Sequence, residues 1–328
     1  MLHHDKISKD KCTFPVIDGH VDLLYLMMQK FKDIPFSDLP DNHLTLQKFR
    51  QGNVRVIISA FYCEDRFNGP EKSVSHLNSL FLYAEKNLGQ INHIITSSDL
   101  SSSFSDPHHT GAIFLLENGD SLIDMKPEDI VKTGFAVVGL THAGKNRIAD
   151  GNGVKEADGL TSAGRKLIKL LENQKIIIDV AHLAEPGFWE LMDLFNGPVI
   201  TSHTGFKHFC DLPRNLSCDQ LKILVERGGI IGITVNPEML SMEMKADLDD
   251  LLFQIDWAAQ KFGTENIGIG SDFGGFDLEN EGLNNPGLFG NLTEKLTLKG
   301  YSANEIAGIM GLNWHRFYMK NLPQNVFK

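Results

Sequence analysis

Thr13-Phe14-Pro15-Val16-Ile17-Asp18-Gly19-His20-Val21-Asp22 is the stretch on which the reading of this chain turns. A short apolar run, residues 14–17, delivers Asp18, His20 and Asp22. If the run is a strand, its period of two puts His20 and Asp22 on one face, aimed past the C-terminal end. An imidazole and a carboxylate so placed form half of a metal site, although a surface histidine beside a turn aspartate has the same local sequence. Later strands that end in the same way decide between the two.

Seven further runs rich in Val, Ile and Leu follow, at 54–61, 112–116, 135–140, 176–180, 198–202, 229–235 and 266–271. Near-continuous apolar runs are what strands buried on both faces require, and their alternation with helical patterns predicts a parallel sheet. Eight such units in one chain predict an α/β fold, a TIM-type (β/α)8 barrel with a C-terminal helix, as a single domain over 1–328. A ninth run, 93–96, reads as an accessory edge strand. Among the helices, 161–174 lines up Leu167, Ile168, Leu170 and Leu171, and Ser217 with Gln220 and Ser302 with Glu305 have capping-box spacing. The longest helical patterns are 247–262 and 302–320, the latter stopping before Pro323. Residues 97–109, serine-rich and ending in Asp106, Pro107, His108 and His109, read as a surface loop with solvated histidines.

Composition bounds the function. The chain has 328 residues, 42% hydrophobic and 22% charged, with a formal net charge of -11 and no basic cluster. That charge argues against nucleic acid, whose phosphates are bound mainly through Lys and Arg. No apolar run is long enough to span a bilayer, and the polar start containing Lys6, Lys9 and Lys11 leads into no apolar leader, so a soluble, cytoplasmic protein without a membrane partner is expected. Cys12, Cys63, Cys210 and Cys218 form no CxxC pair and read as free thiols. A metal would therefore be held by histidines and carboxylates.

In a barrel the chemistry gathers at the C-terminal ends of the strands. Six of the eight runs end in such groups: His20 and Asp22, Glu117, His142, Asp179 and His182, His203, and Asp272. Any one of these has a structural explanation; their convergence on one rim does not.

Here Asp18-Gly19-His20-Val21-Asp22, Leu140-Thr141-His142, Ile178-Asp179-Val180-Ala181-His182, Ser202-His203, Pro213-Arg214-Asn215-Leu216 and Gly270-Ser271-Asp272-Phe273 follow one another as in the membrane (renal) dipeptidase family, which the chain resembles from about residue 13 to 320. The resemblance implies two Zn²⁺ per chain, His20 and Asp22 on one, His182 and His203 on the other, and Glu117 bridging both. It also implies a shared hydroxide that attacks small dipeptides carrying a free C-terminal carboxylate, with a D-residue tolerated at that end, and a homodimer. Imidazole and carboxylate oxygen suit Zn²⁺, and metal-bound water ionises near neutral pH. By the same resemblance His142 lies near the developing oxyanion, Asp272 handles protons between nucleophile and leaving amine, and Arg214 grips the substrate carboxylate.

Other readings stay open. Arg214 could pair with a surface carboxylate, and Asp179 could orient a ligand or merely begin a loop. Lys145, Asn146 and Asp150 could shape the pocket or belong to an ordinary loop, and His315, beside Trp314 and close to Phe317, reads as packing. The chain departs from the family at Gly274, commonly acidic there, at Asn118, often Gly, and at Val235-Asn236, often an aromatic pair. These departures touch no implied ligand and bear on substrate preference. A hydrolase of N-acyl amino acids or cyclic amides would keep every ligand and could dispense with Arg214, and a catalytically silent binding barrel is the reading from another class.

Overall fold

A computed structural model describes residues 13–40 and 44–324. A strand overlaps each of the eight runs: Val16–Val21, Val54–Tyr62, Gly111–Glu117, Val137–Gly139, Ile177–Asp179, Val199–Thr204, Ile231–Ile233 and Ile267–Ile269. Each pairs in parallel with the next, and Asp18↔Ile269 joins the last to the first, so the sheet closes into a barrel. The accessory run appears as Asn92–His93, paired with the start of the third strand. A separate two-stranded sheet, Ala246–Asp247 with Asn280–Glu281, lies outside the barrel.

Period-two alternation decides what fills the barrel. Val56, Ile58 and Ala60 of the second strand and Ile113 and Leu115 of the third share one buried cluster with Ile17, Val137, Ile177 and Ile200. The same cluster takes in Trp314, Phe317 and Tyr318 of the C-terminal helix Asn313–Asn321. Trp314 is fully buried and its Nε1–H donates to the Ile269 carbonyl at 3.0 Å. Its indole lies so near the first and last strands that a Cβ at Gly19 or Gly268 would come within 2.4 or 2.3 Å of it. Glycine is what lets the ring in. A second, larger cluster lies between the strands and the surrounding helices.

Thr161 caps helix Ser162–Asn173, with Leu167, Ile168 and Leu171 buried. Both capping boxes, Ser217 with Gln220 and Ser302 with Glu305, are formed, and Asp247 caps Leu248–Phe262.

Three expectations need correcting. Residues 97–105 are not a loop but a helix, Ser97–Ser105, opened by a Thr96–Asp99 capping box. It buries Leu100 and Ser103 and packs against the C-terminal helix, so tertiary burial overrides the weak helix preference of its serines. The longest helix is Lys72–Asn87, 16 residues against 15 for Leu248–Phe262. It starts after Glu71 at φ 62 with no side-chain cap, hence without the usual start signal. The pattern at 302–320 is interrupted: Ala303–Ala307 gives way to a π-turn, Gly308–Leu312, before Asn313–Asn321. Beyond that wider turn Asn313 Nδ2 donates to the carbonyls of Thr264 and Ile267 at 2.7 and 2.6 Å, and Trp314 enters the barrel.

Cys63, Cys210 and Cys218 are free, and Cys12 lies outside the described residues. Among the described residues no helix is long and apolar enough to cross a membrane.

Candidate metal centre

The third strand rises through Ile113 and Leu115 and ends on Glu117, whose two oxygens face different partners. Oε1 lies 3.0 Å from His182 Nε2, and Oε2 lies 3.8 Å from His20 Nε2. His20 Nε2 is in turn 3.3 Å from Asp22 Oδ2. Three overlapping groups each bring their donor atoms within 4.8 Å of one another: His20, Asp22 and Glu117; Glu117, His182 and His203; and His20, His203 and Asp272. The five residues expected to hold metal therefore converge, with Glu117 shared between two groups. Asp272, expected only to handle protons, is also near enough to be a ligand.

The backbone is forced at the same rim. His182, Asp272 and Asn118 have φ of 65°, 68° and 75°, a region that non-glycine residues rarely adopt and that clusters at functional sites. Asn118, directly after Glu117, is a residue type that tolerates positive φ next best to glycine. Its Nδ2 donates to the Cys63 carbonyl at 2.8 Å and its Oδ1 accepts from Asn146 Nδ2 at 2.8 Å. Gly274 has φ 93°, and a Cβ there would lie 2.8 Å from the Asp22 carbonyl oxygen, so this chain has no room for an acidic side chain at that position.

Electrostatics fit a divalent cation. Burial works against a charge on His20, but Glu117 and Asp22 overcome it and push the imidazole up to about 10. Burial opposes the Glu117 charge too, yet His20 and then His182 hold that carboxyl below its usual range. His182 and His203 are driven well below the ordinary histidine value, by burial first and then by Arg214 and His20 respectively. Asp272 is raised well above the carboxylate range by burial and by Asp22 beside it. Two neutral imidazoles and an ionised Glu117 are the forms that ligate. His20 Nε2 is buried without a hydrogen-bond partner among the described residues, an orphan that a cation among these carboxylates would satisfy.

The remaining expected residues stand around this cluster. His142 has Nδ1 3.3 Å from Asp65 Oδ2 and 3.4 Å from the Tyr62 hydroxyl, and its ring centroid is 4.3 Å from that of His182. Arg214, half-buried on the loop before helix Cys218–Glu226, donates to His182 Nε2 at 3.1 Å and to the His203 carbonyl at 3.3 Å. Among the described residues it makes no salt bridge with a carboxylate, which removes the surface-pairing reading. Asp179 stays below the rim, its Oδ1 accepting from the backbone N–H of Ala181 and of Ser202. Asn146, Lys145 and Asp150 are not among the residues that line the cavity at this rim: Asn146 Nδ2 donates to the Leu140 carbonyl, and Lys145 pairs with Asp150 at 3.1 Å, so both brace the loop. His315 packs on Phe104, centroids 4.5 Å apart.

Glu117, His142, His182, His203, Arg214 and Asp272 face one cavity of about 490 Å³. Sequence reasoning missed several of its groups. Tyr62 ends the second strand and stacks edge-on against Tyr25, and both rings wall the cavity. Asking what ends each run would have found Tyr62. Asn236, singled out only as a departure, donates through Nδ2 to Asp272 Oδ2 at 3.0 Å. Asp65 accepts from the Gly144 N–H at 2.8 Å as well as facing His142, a role that nothing local to it advertises.

Comparison with known proteins adds a family. The profile described as "Membrane dipeptidase (Peptidase family M19)" matches residues 5–323. Dipeptidase aclJ of Aspergillus oryzae is 24% identical over 95% of this chain and 79% of its own length. Dipeptidase 3 of Homo sapiens is 23% identical over 93% of this chain, which spans 65% of that relative. Among solved structures, a metallo peptidase from Rhodobacter sphaeroides liganded with a phosphinate mimic of the dipeptide L-Ala-D-Ala superposes with a TM-score of 0.84 at 20% identity, covering 95% of this chain and 100% of that one.

Proposed function

The chain belongs to the membrane dipeptidase family, peptidase family M19, and on that premise we propose that it is a dinuclear zinc dipeptidase that cleaves small dipeptides with a free C-terminal carboxylate. The observation that carries this reading is Glu117, whose Oε1 and Oε2 face His182 and His20 separately, as a bridging carboxylate must. His20 and Asp22 would hold one Zn²⁺ and His182 and His203 the other, with Asp272 close enough to assist at His20 and His203. When bound, the ions supply the Lewis acidity that makes water a nucleophile near neutral pH and polarises the scissile carbonyl.

The chain's own groups do the rest. Arg214 presents a planar guanidinium to the substrate carboxylate and so fixes which end of the dipeptide enters first. Asp65 holds the His142 ring through Nδ1, which leaves the other ring nitrogen for the carbonyl oxygen as it gains charge. Asp272, held by Asn236, carries the proton that the departing amine needs. Tyr25 and Tyr62 flank the cavity and help shield it from bulk water. The phosphinate mimic of L-Ala-D-Ala in the Rhodobacter sphaeroides relative supports a dipeptide substrate, with a D-residue accepted at the C-terminal end.

Arg214 separates this reading from hydrolysis of an N-acyl amino acid or cyclic amide that does not need it. Arg214→Met keeps the stem but removes a charge-assisted hydrogen bond worth about 1.5–3 kcal/mol. At about 1.4 kcal/mol per tenfold, kcat/KM for free dipeptides should fall roughly tenfold to a hundredfold or slightly more. A dipeptide amide, which lacks the charge, should be a poor substrate for the wild type and no worse for the variant. Equal losses on both would make Arg214 structural.

A further inference from the structure

One hydroxyl lies between the two proposed metal subsites. Ser202 is fully buried, and its Oγ is 3.0 Å from His20 Nδ1 and 2.9 Å from His203 Nδ1. The two rings it joins are close, their centroids 3.8 Å apart. In both, Nε2 is the atom turned toward the carboxylates. A neutral imidazole that ligates through Nε2 carries its proton on Nδ1. Two N–H donors therefore converge on one oxygen. A serine oxygen has two lone pairs, enough for both, and its single proton is left to donate elsewhere. Asp179 lies beside it, its Oδ1 accepting from the backbone N–H of Ser202 at 2.8 Å and from that of Ala181 at 3.0 Å. Both lone pairs of the hydroxyl are then taken by the two rings.

We propose that Ser202 is a positioning residue that fixes the tautomer of His20 and of His203 together, anchored by Asp179, so that the two metal subsites are preorganised as a pair. The inference rests on the dinuclear reading, because His20 and His203 serve different ions in it. It also gives Asp179 a role, which is to hold the backbone of that serine through its N–H.

The test is metal affinity, with no need for turnover. Zinc-loaded wild-type protein, stripped by a chromophoric chelator and titrated back with Zn²⁺, should give two binding steps. In Ser202→Ala both steps should weaken, each by about 10–100-fold, as when a hydrogen-bond partner of a ligating histidine is lost. Ser59→Ala is the control, since Ser59 is also a buried barrel serine but its hydroxyl has no hydrogen-bond partner among the described residues, and both affinities of this variant should match the wild type. Proton NMR of the zinc-loaded wild type should show two slowly exchanging, downfield Nδ1–H resonances assignable to His20 and His203, and both should vanish in Ser202→Ala. Weakening of one step alone, no weakening, or absence of the two resonances from the wild type overturns the proposal, the last even if Ser202→Ala does not fold. A wild type that binds fewer than two ions instead overturns the dinuclear reading on which it rests.

Discussion

The two halves of the barrel interior share the same strands and are opposite in chemistry. Toward the strand starts, Ile17, Val56, Ile58, Ile113, Leu115 and Ile177 pack with Trp314 in one apolar cluster. Toward the strand ends, His20, Glu117, His203 and Asp272 are equally buried and almost entirely polar. On the third strand the change takes one step of the period: Leu115 belongs to the apolar cluster, and Glu117, two residues and roughly 7 Å further on, to the metal cluster. The lower half is stable by burial alone. The upper half gathers carboxylates and imidazoles that repel or go unsatisfied without a counter-ion, and on the dinuclear reading its stability is therefore tied to metal.

Substitutions at the two ends should therefore fail in different ways. The largest effect is expected from Glu117→Gln, which keeps the shape and removes the shared charge. Dipeptide turnover should fall by more than about a thousandfold, since several kcal/mol of metal-derived stabilisation is lost at about 1.4 kcal/mol per tenfold. The far-ultraviolet circular dichroism should be unchanged, and ordinary activity in this variant would break the contrast. Trp314→Ala comes next and should do the reverse. Loss of the buried indole should cost about 3–5 kcal/mol in denaturant unfolding, with the number of metal ions per folded chain unchanged. Chelation follows: a hundredfold excess of Zn²⁺ over its dissociation constant should contribute about 2.7 kcal/mol, so a chelator should lower the thermal midpoint of the wild type and shift Glu117→Gln much less. The smallest effect is Thr96→Ala, which removes the cap of the helix lying under the strand starts and should cost about 1 kcal/mol without touching kcat/KM.

What the sequence disclosed follows the same division. The strands were legible because burial on both faces leaves near-continuous Val and Ile, and the metal cluster because each of its residues follows such a run. Helix Ser97–Ser105 was not, because its serines mimic a loop and only its packing on the C-terminal helix reveals it. Lys72–Asn87 hid its start behind an uncapped Glu71, and the π-turn at Gly308–Leu312 is a shift in backbone hydrogen bonding that carries no side-chain signature. Around the site, Asp65, Ser202 and Asn236 escaped for another reason. Each acts on a residue that the fold alone brings near: Asp65 on His142, Ser202 on His20, Asn236 on Asp272. The departure at Asn118, by contrast, is explained once its positive φ is seen, because asparagine stands where glycine would also fit.

Elemental analysis of protein purified without chelator tests the central claim most directly. The dinuclear reading predicts two divalent ions per chain in the wild type, zinc foremost, and a clear loss of bound metal in Glu117→Gln. One ion per chain in the wild type, or two retained just as tightly by Glu117→Gln, would contradict it.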